Sequence, residues 1–218
     1  MVALVVLISL MIAAKNTIKT PSGKQTPTIA QSPTNIQKRF IIKGSIPYWD
    51  QESASSTFRQ NFAFFSYINL FWYYVDNDGI IKKYQDAYED KSIIDFAHAK
   101  NVKVLAVVTN LSDEEGSTWD SSRVEGIIRN KTTRDKHIEN IVKKITEFGF
   151  DGVTIDYEEV KASQKDNFSF FIKELALALH KNAKILAVAL HPKSDDFGNG
   201  QFQDWEALAK YADHLNIM

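Results

Sequence analysis

The stretch Phe150-Asp-Gly-Val-Thr-Ile-Asp-Tyr-Glu-Glu159 contains two interleaved sets of side chains. One set is apolar or aromatic (Val153, Ile155, Tyr157) and the other is polar (Thr154, Asp156, Glu158). Successive side chains of a strand point to opposite faces, so the pattern predicts a strand over Gly152–Tyr157. The apolar set belongs under helices, and the polar set then lines the inside of the fold. Glu158 comes last, at the carboxyl end of the strand, where barrel enzymes keep their active sites.

On both sides of this strand, apolar runs alternate with amphipathic segments. Six strands are predicted: Phe40–Ile46, Ser66–Val75, Lys103–Val108, Gly152–Tyr157, Ile185–Leu190 and His214–Met218. Helices are predicted over Lys91–Lys100, Arg134–Phe148, Asn167–His180 and Trp205–Tyr211. Regular alternation of strand and helix predicts a parallel sheet with helical crossovers.

Such a sheet can be an open doubly wound sheet or a (β/α)8 TIM barrel. No Gly-x-Gly-x-x-Gly follows a predicted strand, which leaves the dinucleotide-binding doubly wound form without its phosphate loop. A whole barrel takes about 250 residues, and six strands in about 180 residues fit that rate. The expected fold is an α/β (β/α)8 TIM barrel that is C-terminally incomplete, with about six of its eight strands present. Because such a barrel exposes two sheet edges, the chain is expected to be a fragment or a truncated gene product.

The segment before the barrel differs in composition. Residues 1–14 are an apolar run, short for a membrane span and long enough for the core of a signal peptide. Residues 15–38 are rich in Thr, Pro and Gln and predict a disordered linker, which leaves residues 39–218 as the catalytic barrel. The protein is therefore expected to be extracellular or at the cell surface, either exported by a cleaved signal or held by a retained anchor.

The overall composition excludes several classes of function. A formal net charge of −1 gives no electrostatic reason to expect nucleic acid as a partner. The chain has no cysteine, which excludes a disulfide framework and a thiol nucleophile, and its five histidines show no His-Glu-x-x-His spacing. No metal or organic cofactor is expected, and the protein is expected to be a monomer.

The two inward carboxylates also restrict the chemistry. Asp156 and Glu158 are costly to bury without a purpose, although an acidic turn that caps the next helix is an alternative interpretation. Glycosidases usually place two carboxylates on opposite sides of the scissile bond. Neighbours at i and i+2 on one strand point the same way and cannot do so. A glycosidase built on them needs another nucleophile, and a 2-acetamido group on the substrate would supply it.

The same stretch resembles the signature of glycoside hydrolase family 18, Asp-x-x-Asp-x-Asp-x-Glu, with Asp151, Asp156 and Glu158 in the first, third and fourth acidic places. Three further segments look like the second, third and sixth strands of that family's barrel: Ile68–Gly79, Val102–Asn110 and Ala212–Met218. They look most like its spore-germination and peptidoglycan-directed branch.

The resemblance implies retaining, substrate-assisted hydrolysis of β-1,4 bonds next to N-acetylglucosamine in peptidoglycan or chitin. Glu158 would protonate the glycosidic oxygen and then act as base on water, while Asp156 would hold the acetamido N–H. Asp151 and Thr154 would support them. The main alternative is a catalytically silent, lectin-like protein on the same barrel. Such proteins have typically lost the acid, and Glu158 is intact.

Two departures from the family pattern matter. Thr154 stands where chitinases usually have the second Asp of the signature, and a neutral residue there favours the peptidoglycan-directed branch. The family's sixth strand continues from Met into a Tyr-Asp pair, which lies beyond Met218, so the chain as given is expected to bind poorly or be inactive. Substrate-binding residues are predicted at the carboxyl ends of strands: Tyr48, Trp49, Trp72, Tyr74, Asn110, His191 and Met218.

Overall fold

The structure is a computed structural model that describes residues 40–113, 118–193 and 200–218. The predicted leader at 1–14 and the predicted linker at 15–38 lie outside the described residues, so both stay predictions. Residues 40–218 form one compact unit. Among the helices described, none combines the length and the apolar character needed to cross a membrane.

Seven strands and six α-helices build this unit over the described residues. The strands are β1 (Lys43–Pro47), β2 (Tyr67–Val75), β3 (Ile81–Lys83), β4 (Lys103–Thr109), β5 (Gly152–Asp156), β6 (Ile185–Leu190) and β7 (His214–Ile217). The helices are α1 (Gln51–Asn61), α2 (Lys91–Ala99), α3 (Ser121–Arg129), α4 (Lys131–Phe148), α5 (Lys165–His180) and α6 (Trp205–Ala209). Short 3-10 turns cover Tyr48–Asp50, Phe62–Phe64 and Ala162–Gln164.

The strands lie in the order β1-β2-β4-β5-β6-β7, and every neighbouring pair along that path is parallel. The short β3 pairs antiparallel with β2 and lies off the path. A doubly wound sheet reverses its strand order at a switch point, whereas this sheet follows the chain without reversal. The sheet is curled, with helices against it, and resembles an incomplete (β/α)8 barrel, which confirms the predicted fold.

Each strand separates a helix-covered face from an inward face. Along β5, Val153 and Ile155 are buried in the main apolar core, which the helices complete. Thr154 and Asp156 face the inside of the curl, and Thr154 donates a hydrogen bond of 3.1 Å to Oδ1 of Asn69 on β2. The predicted alternation along the central strand is therefore present in the structure.

The connection into β5 is fixed by local signals in the sequence. Helix α4 begins after Asn130, whose side chain accepts a hydrogen bond from the Thr132 N–H. It ends at Gly149, which has φ +79° in the left-handed region that glycine adopts without a Cβ penalty. The chain reverses there, and the buried Phe150 leads directly into β5.

Candidate active site

Three adjacent strands end in one row of polar side chains on the inward face. Tyr74 of β2 pairs in register with Thr109 of β4, and Thr109 pairs with Asp156 of β5. Neighbouring strands lie about 4.8 Å apart, so the row spans about 10 Å across the carboxyl edge of the sheet. This row is the floor of the candidate site.

Asp156 is a mostly buried carboxyl group at the end of β5. Its Oδ1 has no hydrogen-bond partner among the described residues. Burial, and secondarily the negative charge of Glu158, raises the pKa of Asp156 to about 7. A buried carboxyl oxygen without a partner is costly, and a ligand N–H at this point would satisfy it.

Glu158 is held through its backbone by the predicted residue Asn110. The Glu158 N–H donates to Oδ1 of Asn110, and Nδ2 of Asn110 donates to the Glu158 carbonyl, both at 2.9 Å. Asn110 is fully buried, so both polar ends of its amide are satisfied by Glu158. Directly after Glu158 the chain turns through Glu159 at φ +57°, an uncommon conformation for a residue other than glycine. The two hydrogen bonds to Asn110, together with this turn, fix the position at which Glu158 leaves the strand.

His191, predicted at the end of β6, lies beside Glu158. Its Nε2 is 3.7 Å from Oε2 of Glu158. Burial raises the pKa of Glu158, the charge of a protonated His191 acts in the opposite direction, and Glu159 adds a smaller upward effect. A raised pKa is the property that a carboxylic acid needs in order to donate a proton near neutral pH.

Between the two acids, Tyr157 points to the opposite face and anchors the strand end. Its hydroxyl lies 2.6 Å from Nε2 of the buried His137 on α4, and Nδ1 of His137 lies 2.8 Å from the Gly79 carbonyl. A carbonyl can only accept, so Nδ1 carries the proton and Nε2 accepts from Tyr157. This network joins β5, α4 and the turn between β2 and β3.

Aromatic side chains line the carboxyl edge next to the row. Tyr48 stacks on Tyr84 with ring centroids 4.3 Å apart, and the Tyr84 hydroxyl hydrogen-bonds to Thr109 Oγ1 at 2.7 Å. Trp49 is 64% exposed and meets Tyr48 edge-on at 5.0 Å. Tyr74 lies 5.1 Å from Tyr84. The predicted residues Tyr48, Trp49 and Tyr74 are thus brought together, and Trp49 offers the open ring.

Tyr84 was not predicted from the sequence, although it joins Tyr48 to the row. It is fully buried, and its hydroxyl also reaches the Leu111 carbonyl at 3.0 Å. Burial is the main cause that raises its pKa. Tyr84 follows a three-residue strand in a polar stretch, where no periodicity predicts that a side chain turns inward.

The structure corrects the prediction that Trp72 binds substrate. It is fully buried on the helix-covered face of β2, against Phe150 at a ring distance of 6.1 Å. The pairing of β2 with β4 shifts register between Phe71 and Tyr73, so that Tyr74, rather than Tyr73, pairs with Thr109. Trp72 is therefore a core residue.

Asp151, predicted to support the acids, lies at the other end of β5. Its carboxylate accepts from the Val104 N–H and contacts His98 Nε2, both at 2.8 Å, and lies 3.3 Å from Lys103 Nζ. Partial burial alone would raise its pKa, but these hydrogen bonds and charges outweigh burial and lower the pKa. Asp151 lies five residue steps along the strand from Asp156, a distance of about 17 Å. It ties β5 to β4 and lies outside the candidate site.

Thr154 and Met218 complete the set of predicted residues. Thr154 is buried one inward position before Asp156 and is occupied by its bond to Asn69. Met218 follows β7 at the carboxyl edge, is about half exposed, and donates its N–H to the Leu190 carbonyl. Within the described ranges, no three His, Cys, Asp or Glu side chains converge where a metal ion could sit.

A curled parallel sheet with a buried Asp and a Glu at the carboxyl end of one strand defines the class of barrel glycoside hydrolases. The family model of "Glycosyl hydrolases family 18" matches residues 45–218, and the chain belongs to that family. The resemblance seen in the acidic signature is thereby confirmed.

Known proteins similar to this chain include proteins named as spore-related glycosylases or lytic enzymes and proteins named as chitinases. YdhD of Bacillus subtilis (strain 168), named as a sporulation-specific glycosylase, is 30% identical over 131 residues, which are 60% of this chain and 30% of that protein. The cortical fragment-lytic enzyme of Bacillus anthracis is 24% identical over 82% of this chain and 40% of its own length. The crystal structure of a chitinase from Chromobacterium violaceum has a TM-score of 0.72 at 22% identity, covering 81% of this chain and 55% of that chain. The chain thus spans well under half the length of these curated relatives.

Proposed function

We propose that this protein hydrolyses β-1,4 glycosidic bonds next to N-acetylglucosamine, in peptidoglycan first and in chitin second. The observation that carries the proposal is the pair Asp156 and Glu158 at the carboxyl end of β5, with a buried Asp156 oxygen that lacks a partner. Family membership supports the class of reaction. The names of the cortex-lytic and sporulation relatives, together with Thr154, support peptidoglycan.

In the proposed reaction, the Glu158 O–H bond breaks as its proton goes to the glycosidic oxygen. The acetamido carbonyl oxygen of the substrate attacks the anomeric carbon, and the bond to the leaving sugar breaks. Asp156 accepts a hydrogen bond from the acetamido N–H and so aligns the attacking oxygen. Water then opens the cyclic intermediate while Glu158 takes back a proton, which regenerates the acid with overall retention.

Substitution of Glu158 tests the assignment of the acid. In a protein that carries the complete barrel, Glu158→Gln should lower turnover by about 100-fold or more, because the amide cannot donate a proton as an acid does. Binding of the glycan should persist. Release of reducing ends from purified sacculi and from chitin oligosaccharides, with binding followed by calorimetry, measures both effects.

A neighbouring residue supplies the matched control. Glu159→Gln removes the same charge one position further on, from an exposed side chain, and should leave most of the turnover. Equal turnover in Glu158→Gln and the unaltered protein would contradict the assignment. A thiazoline analogue of N-acetylglucosamine, which mimics the cyclic intermediate, should inhibit, and failure to inhibit would argue against assistance by the acetamido group.

We also propose that the protein works outside the cytoplasm, carried by the apolar segment at 1–14. The support is the sequence, in which that apolar run precedes a polar linker. Fusion of residues 1–38 to alkaline phosphatase, which is active only after export, should give active reporter. The amino terminus of the exported product separates a cleaved signal from a retained anchor, and an inactive reporter would contradict export.

A further inference from the structure

His191 and Glu158 face each other from neighbouring strand ends. Nε2 of His191 is 3.7 Å from Oε2 of Glu158, and the two side chains are only 18% and 15% exposed. Nε2 is buried and has no hydrogen-bond partner among the described residues. A charge on the His191 ring interacts strongly with a charge on the Glu158 carboxylate at this distance, because both side chains are mostly buried.

A buried glutamine fixes the backbone of His191. Gln203 is 1% exposed, its Oε1 accepts the His191 N–H at 2.9 Å, and its Nε2 donates to the Ala189 carbonyl at 3.2 Å. Its own carbonyl accepts from Lys193 Nζ at 2.7 Å. The Gln203 amide thus binds the backbone on both sides of Leu190, whereas Asn110 binds the N–H and the carbonyl of Glu158 itself.

Gly200 also restricts His191, because it lies against the His191 side chain and accepts a hydrogen bond from Gln203. It has φ +102°, and a Cβ built on it would lie 2.9 Å from Cβ of His191. Its carbonyl accepts the Gln203 N–H at 2.9 Å. Only glycine fits between the His191 side chain and this turn, so the imidazole is held in place.

We propose that His191 is a positioning residue that carries a proton of its own beside Glu158, so that its imidazolium supplies the compensating charge when Glu158 gives its proton away. This role rests on the function proposed above, in which Glu158 is the acid. It differs from the substrate contact that the sequence predicted for His191, because it acts through Glu158.

The role follows from the proton balance of the reaction. When Glu158 gives its proton to the glycosidic oxygen, a carboxylate is left in a site of low exposure. An imidazolium at 3.7 Å stabilises that carboxylate until water returns the proton. Without it, the carboxylate forms less readily, so proton transfer is slower and Glu158 keeps its proton to a higher pH.

Other charged and titratable groups lie near Glu158 and His191 and contribute to the electrostatic interaction between them. Asp156 and Glu159 flank Glu158 on its own strand end, and Lys193 follows His191. Tyr84 approaches Asp156 from the loop after β3. His191 Nε2 lies 3.7 Å from Glu158 Oε2, so a charge on the imidazole acts directly on the carboxylate.

Carboxyl-carbon NMR of protein labelled in glutamate measures the coupling directly, with the Glu158 signal assigned from Glu158→Gln. In His191→Gln, the Glu158 midpoint should rise by about one pH unit or more. His180→Gln is the matched control, since His180 pairs with Asp213 on another part of the sheet, and it should leave the midpoint unchanged. Coincident midpoints in His191→Gln and the unaltered protein would overturn the proposal.

Nitrogen NMR of the unaltered protein keeps the proposal testable if His191→Gln does not fold. A coupled pair titrates in steps that belong to both groups, so the His191 ring and the Glu158 carboxyl should show the same two midpoints. Independent single midpoints would overturn the proposal.

Kinetics with the fluorogenic glycoside of di-N-acetylchitobiose separates positioning from binding. His191→Gln should lower kcat by about 10-fold with little change in KM, and the high-pH limit of kcat/KM should move upward. A raised KM with an unshifted limit would instead assign His191 to substrate binding. If a protein that carries the complete barrel shows no turnover but the NMR midpoints shift, the proposed function fails and the coupling stands.

Discussion

At the scale of single residues, Asp156 has a burial cost in stability that the substrate contact proposed for it would offset. Its folded pKa is about 7, whereas an unfolded aspartate has a pKa of about 3.9. Between these values the folded state keeps a proton that the unfolded chain has lost, so stability falls as pH rises from about 4 to 7. The protein thus loses stability by burying an unpaired carboxyl, at the point where the proposed reaction places the substrate N–H.

Asp156→Asn should therefore become progressively more stable than the unaltered protein as pH rises. The amide cannot ionise, so the loss is absent, and the difference in unfolding free energy should grow by about 2 to 3 kcal/mol between pH 5 and pH 8. Urea unfolding at both pH values measures this, and turnover should fall at the same time. Asp135→Asn, on the exposed side of α4, is the control, and a parallel pH dependence in both variants would contradict the assigned burial cost.

Residue-level prediction from sequence worked where alternation governs and failed where it does not. Thr154, Asp156 and Glu158 could be assigned to one side because a strand has a period of two. Trp72 was assigned to the site because the register shift in β2 has no signature in the sequence. Gln203 was missed because it reaches His191 from outside the regular elements, at a separation of 12 residues.

At the scale of elements, the network of Tyr157, His137 and Gly79 sets the position of the acidic strand end. The ring of His137 is fully buried, and burial lowers its pKa to about 4. An unfolded histidine has a pKa of about 6.5, so the network contributes stability above that value and loses it as pH falls toward 4. Helix α4 thereby helps to fix where β5 ends.

Tyr157→Phe tests this link between elements. Loss of the hydroxyl leaves Nε2 of His137 buried and unpaired, which should cost about 1 to 3 kcal/mol in unfolding free energy at pH 7. The double variant Tyr157→Phe/His137→Leu should cost less than the sum of the single variants, because no unpaired group remains. Urea unfolding measures all three.

A second tyrosine provides the comparison for turnover. Tyr73→Phe loses a hydrogen bond to Glu89 of 2.7 Å, on the helix-covered face of β2. Tyr73→Phe should lower stability and leave kcat unchanged. Tyr157→Phe should lower both, since Tyr157 lies between Asp156 and Glu158. Equal effects on kcat would show that the network does not position Glu158.

The sequence analysis did not predict helices α1 and α3 or strand β3, and the reason differs between them. Helix α1 has one buried residue, Phe58, in a mostly polar sequence, so few apolar residues mark its inner face. Helix α3 contains Gly126, which lowers helix propensity. Strand β3 is only three residues long. The six parallel strands were predicted within three residues at each end, and the four central ones, β2, β4, β5 and β6, contain the buried apolar runs that make such a prediction possible.

At the scale of the whole molecule, the curl of the sheet brings the first and last described strands into contact. Nζ of Lys43 on β1 donates to Oδ1 of Asn216 on β7 at 2.7 Å, across 173 residues of sequence. Tyr67 on β2 meets His214 on β7 with ring centroids 5.0 Å apart. No local pattern could predict these contacts, because they depend on the accumulated twist of six strands.

Lys43 makes this long-range contact at a cost, because burial lowers its pKa to about 8. An unfolded lysine has a pKa of about 10.4, so the folded state is penalised below 8 and regains stability as pH rises from 8 to about 10.4. Lys43→Met should therefore stabilise the protein at pH 7, by about 1 kcal/mol after discounting for the half-exposed ammonium, and the gain should vanish near pH 10.5. Urea unfolding at the two pH values tests this.

Lys103→Met is the control, at an exposed lysine that begins β4, and it should show no such gain. A gain from Lys43→Met that persists at pH 10.5 would mean that packing rather than charge burial limits the contact between β1 and β7.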